Sequence, residues 1–198
     1  MIDNIRYVLA VVMIMTFPPA ILYWFIIHPF VHFWRRVGPA KTYVCMAAMY
    51  LGVMWVVYLL RGQLVGIDFG TNVYLWPLAL VMYASSVAIE IPRRKLLGFK
   101  MLAGLPELAP ASDHNRLLTE GIYGRVRHPR YVGAALGVLA FALFTNYLGV
   151  YVLAGFSMAC LYLIVIIEEK ELRDRFGSRY AEYASRVPRF VPRRQTNN

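Results

Sequence analysis

The sequence is short of charge. Only 16% of its 198 residues are charged, against roughly a quarter in a soluble domain, and Asp and Glu number 11 against 21 Lys and Arg. Cysteine is scarce too. Cys45 and Cys160 lie in separate apolar runs with no C-x-x-C, which argues against a disulfide framework or a structural zinc and leaves the redox compartment open. Four histidines are too few for a membrane di-iron oxidase. His28 and His32 stand at i,i+4, but Pro29 distorts that turn, and an interfacial role suits them better than metal or haem ligation. No metal is expected. P-loop, G-x-G-x-x-G, H-E-x-x-H and G-x-S-x-G motifs are all missing, and the lack of a Gly-rich phosphate loop argues against a nucleotide-driven pump.

What is present is apolar. Hydrophobic residues make up 59% of the chain, and the mean hydropathy is +0.50. A membrane span needs roughly 20 mostly apolar residues to cross about 30 Å of hydrocarbon. Five stretches qualify as candidates: Tyr7–Phe33, Tyr43–Leu60, Val73–Ile91, Tyr131–Tyr147 and Val150–Ile167. The first carries Pro18 and Pro19, which predict a kink or break. Little more than "NYLG" joins the last two, so they form a tight antiparallel hairpin. The N-terminal apolar run is longer than a signal-peptide core, has no A-x-A pattern, and is read as retained.

The net charge of +10 then reads as topology rather than nucleic-acid binding. Arg35, Arg36 and Lys41 follow the first span, eight basic residues lie between Arg93 and Arg130, and eight more between Lys170 and Arg194; only Arg6 and Arg61 fall on the other side. The positive-inside rule places the N-terminus outside and the C-terminus in the cytosol, in an inner or plasma membrane. The expected fold is all-α: one membrane domain over 1–198, with three N-terminal spans (1–91), a cytosolic loop (92–130), and a catalytic hairpin with a C-terminal helix (131–192). Leu172, Phe176, Tyr180, Tyr183 and Val187, spaced by four, four, three and four, form an amphipathic stripe suited to lying on the membrane face or on the loop.

Two sites stand out for chemistry. Glu169 and Glu171 have arginines at i+4, Arg173 and Arg175, and read as ordinary solvated pairs. Glu168 has Ile164, Val165, Glu171 and Leu172 as helical neighbours and no basic partner on its helix. A carboxylate at membrane depth with no partner is a functional candidate by default. The second site is "GIYGRVRHPRYVG", residues 121–133. Pro129 starts a helix at its favoured first position, but that leaves the choice of His128 unexplained, and the helix N-terminus there suits a ligand carboxylate. Arg125, Arg127 and Arg130 read individually as topology charges. Gly133 with Gly137, and Gly155 with Ala159, read as close-packing pairs, which would bring the hairpin together and His128 beside Glu168. Glu90 suits either a polar cavity or the interface.

The segments "LLTEGIYGRVRHPRYVG" and "EEKELRDRFGSRYAEYASRVPRFVP" together resemble the integral-membrane superfamily of isoprenylcysteine carboxyl methyltransferases and phospholipid N-methyltransferases. The likeness covers about residues 115–192 and rests on G-x-Y, R-H-P-x-Y-x-G, E-E, F-G-x-x-Y and V-P-R-F. It implies S-adenosyl-L-methionine as methyl donor, bound in a cytosol-facing pocket that caps the helix bundle. It implies that Asn115, Arg116, Leu117 and Leu118 form a strand-like stretch passing the cofactor, with Tyr123 following. His128, Pro129, Arg130 and Tyr131 would be the central cofactor motif and Glu168 the acidic contact; His128, Tyr131 and Glu168 are the catalytic candidates. In the carboxyl methyltransferases an arginine stands four residues before the acidic contact and binds the substrate carboxylate. Here that place is Ile164, the substrate-binding candidate, so a carboxylate would need another cation such as Arg127 or Arg130. This favours a phospholipid amine or another neutral lipophilic acceptor over an isoprenylcysteine. The partners expected are a membrane and a lipid or lipophilic substrate, with no nucleic acid. An NADPH-dependent sterol-type reductase and a non-enzymatic scaffold are the other classes open to such a chain.

Overall fold

The computed structural model describes residues 1–27, 29–102 and 117–192. Helices dominate for a physical reason. A backbone in hydrocarbon has no water to bond, and a helix satisfies its N–H and C=O groups within itself. The elements are α1 (Ile2–Ile27), α2 (Val31–Val37), α3 (Pro39–Leu59), α4 (Arg61–Val65), α5 (Trp76–Leu102), α6 (Pro129–Thr145), α7 (Leu148–Phe176) and α8 (Ser178–Arg186). Among the described residues there is no strand, only an isolated bridge between Asp68 and Tyr147. Helices α1, α3 and α7, and the Val73–Leu96 stretch holding most of α5, are long and apolar enough to cross a membrane. The fifth expected span is α6; its 17 residues reach about 26 Å at 1.5 Å per residue. The protein is an integral membrane helix bundle.

Three expectations are revised at the element ends. Pro18 and Pro19 lie inside a continuous α1 rather than breaking it. The first span ends at Ile27, and α2 is a separate short helix; Gly38, at a φ of 88°, divides it from α3, which Pro39 opens at its first position. Helix α5 passes Ile91 and Pro92 and continues to Leu102, so the expected loop from 92 begins as helix.

Packing joins α1, α6 and α7 at the centre, with α3 against α1 and α5 against α6. Towards one end, Ala10, Met13 and Ile14 of α1 meet Val138 and Ala142 of α6 and Val150, Leu153 and Ala154 of α7. Towards the other, Ile21 meets Tyr131 and the α7 residues Cys160, Leu161, Ile164 and Val165. Helices α5 and α6 form the most extensive pairing, and glycine is the reason. A Cβ on Gly133 would touch Ile89 and the Ser86 backbone, one on Gly137 would sit 3.4 Å from Ser86 Oγ, and the Ser86 hydroxyl donates to the Gly133 carbonyl at 2.8 Å. The small-residue face of α6 therefore meets α5, not its hairpin partner. On α7, Gly155 has nothing within 4 Å, and both it and Ala159 are exposed; that pair is not a packing motif.

The end of the bundle away from His128 is closed by a charge that the sequence pattern did not single out. Arg6 is fully buried. It donates to the Thr145 carbonyl (3.0 Å), to Asp3 (2.9 Å), to Thr71 (3.1 Å) and to Asp68, and its guanidinium lies over the Tyr147 ring at 5.3 Å. A buried guanidinium is strongly unfavourable unless its donors are met; here they tie α1, the 66–72 loop and the α6–α7 turn together. That turn uses Asn146 at φ 56°, a left-handed position that Asn tolerates. Its side chain donates to the Gly70 carbonyl at 2.9 Å.

Candidate active site

The opposite end of α6 and α7 gathers the motif residues. Pro129 opens α6 with a fixed φ and no N–H to satisfy, so His128 becomes the residue immediately before the helix. Its backbone N–H donates to the Arg189 carbonyl (3.1 Å), and that of Arg127 to the Pro188 carbonyl (2.9 Å). The V-P-R-F segment is thereby laid beside the R-H-P segment, and Phe190 packs against the His128 and Tyr162 rings. The hairpin returns Glu168 and Glu169 to this end, the latter 41 residues after His128.

The two glutamates divide the roles differently from the sequence expectation. Glu169, expected to be solvated with Arg173, is buried, its side chain only 2% exposed. It takes Arg189 through two contacts of 3.0 and 2.7 Å, His128 Nε2 at 3.1 Å, Arg127 at 3.3 Å and Arg173 at 3.4 Å. Glu168, expected on the buried face, is 28% exposed on its side chain. It has a partner from another helix: the Tyr131 hydroxyl donates to it at 2.5 Å, with His128 Nδ1 3.9 Å away. The physical reason lies in the stripe. The spacing of four, four, three and four that holds Leu172, Phe176 and Tyr180, continued backwards by three and then fours, passes through Glu169, Val165 and Leu161, all buried. Reading the stripe past Leu172 would have found Glu169; the apolar neighbours of Glu168 alone did not distinguish it.

The arginines are likewise more than topology. Arg127 is 11% exposed on its side chain, and Arg130 lies over the Trp24 ring of α1 at 3.8 Å, a cation–π contact. Glu90 takes Arg93 through two contacts of 2.7 and 2.5 Å and Arg94 at 2.8 Å. Arg93 is itself buried, and its charge acts on the Tyr123 hydroxyl. Burial pushes that hydroxyl above its ordinary value, with Arg93 pulling the other way. Glu90 thus belongs to the rim of this site rather than to a generic interface.

Other candidates fall in varied places. Ile164 is 1% exposed, packed in the core with Tyr131 rather than open to a cavity. Leu117 and Leu118 form no strand; Leu117 packs on the aromatic cluster of Phe176, Tyr180 and Tyr183, so the amphipathic stripe covers the loop. Asn115, Arg116 and His28 lie outside the described residues. Tyr183 donates to the Tyr123 carbonyl at 2.7 Å. Burial, with the Glu169 charge adding to it, pushes the Tyr180 hydroxyl up to about 12. A large cavity, about 570 Å³, is apolar and lies between α5 and α6 around Trp76, Tyr83 and Phe144, remote from this cluster.

A membrane helix bundle with R-H-P and E-E brought together at one end defines the class of integral-membrane methyltransferases. The chain belongs to the phospholipid methyltransferase family, whose model matches residues 75–179. Among the curated proteins it resembles, the Protein-S-isoprenylcysteine O-methyltransferase B of Arabidopsis thaliana is 35% identical over 40% of this chain and 41% of that protein. Methanethiol S-methyltransferase 1 of Bradyrhizobium diazoefficiens is 31% identical over 41% of this chain and 28% of its own length. The Delta(14)-sterol reductase TM7SF2 of Mus musculus is 34% identical over 46% of this chain but 22% of its own length. The chain spans well under half the length of the curated relatives it matches. No solved structure matches.

Proposed function

We propose that this methyltransferase moves the methyl group of S-adenosylmethionine to a neutral nucleophile, an amine or thiol, on a lipid or lipophilic molecule. The observation that carries the reading is the state of the cations. A carboxylate taken into an apolar site needs a positive partner. The two cations expected to stand in for the missing arginine at Ile164 already face other groups, Arg127 with Glu169 at 3.3 Å and Arg130 with the Trp24 ring at 3.8 Å, although the buried Arg127 Nε has no hydrogen-bond partner among the described residues. Arg93 and Arg189 are likewise held, by Glu90 and Glu169. A neutral acceptor needs none of them.

The residues present fit the donor. Glu168 keeps acceptor capacity beyond its bond from Tyr131 and is partly open, which suits the cofactor's hydroxyl or ammonium groups. Tyr123 and Tyr131 offer ring faces for a sulfonium or an adenine. The cofactor supplies an activated methyl group. The protein's own part is to hold donor and acceptor in near-attack geometry, where positioning supplies much of the rate. The distribution of basic residues supports a cytosolic position for this end of the bundle and for the C-terminus, with the N-terminus outside. The sterol-reductase likeness covers less than a quarter of that enzyme, and NADPH binding would be its mark.

The test is direct. Detergent-purified protein is incubated with methyl-labelled S-adenosylmethionine and, separately, with phosphatidylethanolamine vesicles, a long-chain thiol and farnesylcysteine. Label in the amine or thiol product is the expected result. Efficient methylation of farnesylcysteine alone would overturn the acceptor assignment, and a melting shift with NADPH but not with S-adenosylhomocysteine would overturn the donor.

A further inference from the structure

His128 is held between two carboxylates by its two different nitrogens. Nε2 lies 3.1 Å from Glu169 Oε1, a hydrogen-bond distance, while Nδ1 lies 3.9 Å from Glu168 Oε2, outside direct bonding. The ring is buried, its side chain 2% exposed. Glu169 is surrounded by Arg127, Arg173 and Arg189. That keeps it a carboxylate, which can only accept. Nε2 must therefore carry the proton, and in the neutral ring Nδ1 is left with its lone pair. That lone pair is directed to the side where Tyr131 and Glu168 meet.

We propose that Glu169 is a positioning residue that fixes His128 as the proton acceptor of methyl transfer, with Nδ1 taking the acceptor's proton. This rests on the neutral-acceptor reading above. As the nucleophile's lone pair forms its bond to the methyl carbon, the bond from that carbon to the donor sulfur breaks and its electron pair stays on sulfur. The acceptor's S–H or N–H proton is then surplus. It passes to Nδ1, Glu169 offsets the charge of the resulting imidazolium, and the proton leaves to water. A base oriented by a third group through its other nitrogen is the arrangement such chemistry requires. Glu169 touches neither donor nor acceptor; it sets the tautomer and balances the charge. A carboxylate acceptor, already ionised at neutral pH, would have no proton to hand over.

Two measurements test this. The first is the tautomer of His128, read by nitrogen NMR of ¹⁵N-histidine-labelled protein with S-adenosylhomocysteine present, the signal being assigned by its loss in His128→Asn. A proton on Nε2 and a bare Nδ1 are expected; a proton on Nδ1 overturns the proposal, whichever acceptor the protein uses. The second compares 1-dodecanethiol, protonated at neutral pH, with a 4-alkylthiophenol, largely ionised there. Glu169→Gln keeps a hydrogen-bond acceptor but removes the charge. Turnover of the alkanethiol should fall about 100-fold, the lower range for a lost general base, and that of the thiophenol less than tenfold. Equal losses for the two thiols, or a split that appears in Glu168→Gln instead, overturn the assignment. S-adenosylhomocysteine binding, followed in parallel, reports on the donor reading separately, so its loss would count against that reading and not against the tautomer. Should Glu169→Gln fail to fold, His128→Asn with the same pair of thiols decides the question: the same split is expected, and equal losses overturn the proposal.

Discussion

Replacing Arg189 by methionine removes the strongest of the contacts that hold Glu169. The change keeps an unbranched apolar stem and deletes two charge-assisted contacts of 3.0 and 2.7 Å. Breaking a buried ion pair by removing one partner costs about 3–5 kcal/mol. Two features lower that figure here. Arg189 is 34% exposed on its side chain, and Glu169 keeps Arg127, Arg173 and His128. A loss of about 1.5–2.5 kcal/mol is expected, in the range of one hydrogen bond to a charged group. For a chain of this size each kcal/mol moves the melting temperature by about 2–4 °C, so the midpoint should fall by about 3–10 °C. The assay is thermal unfolding in a fixed detergent, with Arg186→Met as control, because Arg186 pairs with Glu182 on a surface where both side chains are 71% exposed. Methyl transfer should fall as well, because the lost side-chain contacts also steady the segment whose carbonyl at 189 accepts from the His128 N–H. A variant that melts with the Arg186 control would refute the claim that the C-terminal segment fastens the site.

Glu168→Gln should weaken S-adenosylhomocysteine binding with little effect on melting, while Glu169→Gln should lower the melting temperature; calorimetry and thermal unfolding of both variants check the division, and a reversed pattern would refute it. Gly149→Ala should destabilise by several kcal/mol, since its Cβ would sit 1.8 Å from the Leu64 carbonyl, whereas Gly155→Ala, with nothing within 4 Å, should be neutral in the same unfolding assay. Burial pulls the Asp68 carboxyl up, but the Gly70 N–H, Arg6 and Tyr147 outweigh it and hold it below its ordinary value of 3.8. A depressed carboxylate stabilises the fold above that value and loses its effect as pH falls through the folded one. Asp68→Asn should therefore lower the melting temperature at neutral pH and flatten its further decline below about pH 4.

Much of this was legible in the sequence, for reasons particular residues make clear. Hydropathy located every long helix, because the bilayer allows little else, and Asn146-Tyr147 gave the hairpin. The R-H-P and E-E motifs come together because a hairpin returns its two ends to one face. Hydropathy could not give helix ends within one medium: nothing in composition distinguishes α5 stopping at Ile91 from α5 running to Leu102. The choice between adjacent glutamates turned on which of two positions about 100° apart faces Arg189, a residue 20 positions away whose approach depends on the path of the C-terminal segment. Arg6 enters the sequence reading only as a charge on the outer side, because its partners Asp68, Thr71 and the Thr145 carbonyl are distant in sequence.

The Arg6 knot constrains the order in which the bundle is made. Arg6 enters the membrane with the first helix, while the Thr145 carbonyl that receives it belongs to a turn synthesised 139 residues later. Until α6 arrives, the guanidinium can have Asp3, Asp68 and Thr71 but not the backbone acceptor that buries it, so α1 must wait with that end at the interface, in reach of water. The same holds at the other end, where Glu169 is made 20 residues before Arg189. Each end of the molecule closes on a late-made group, and a nascent chain stalled before α6 would lack the Thr145 carbonyl that completes the Arg6 cluster.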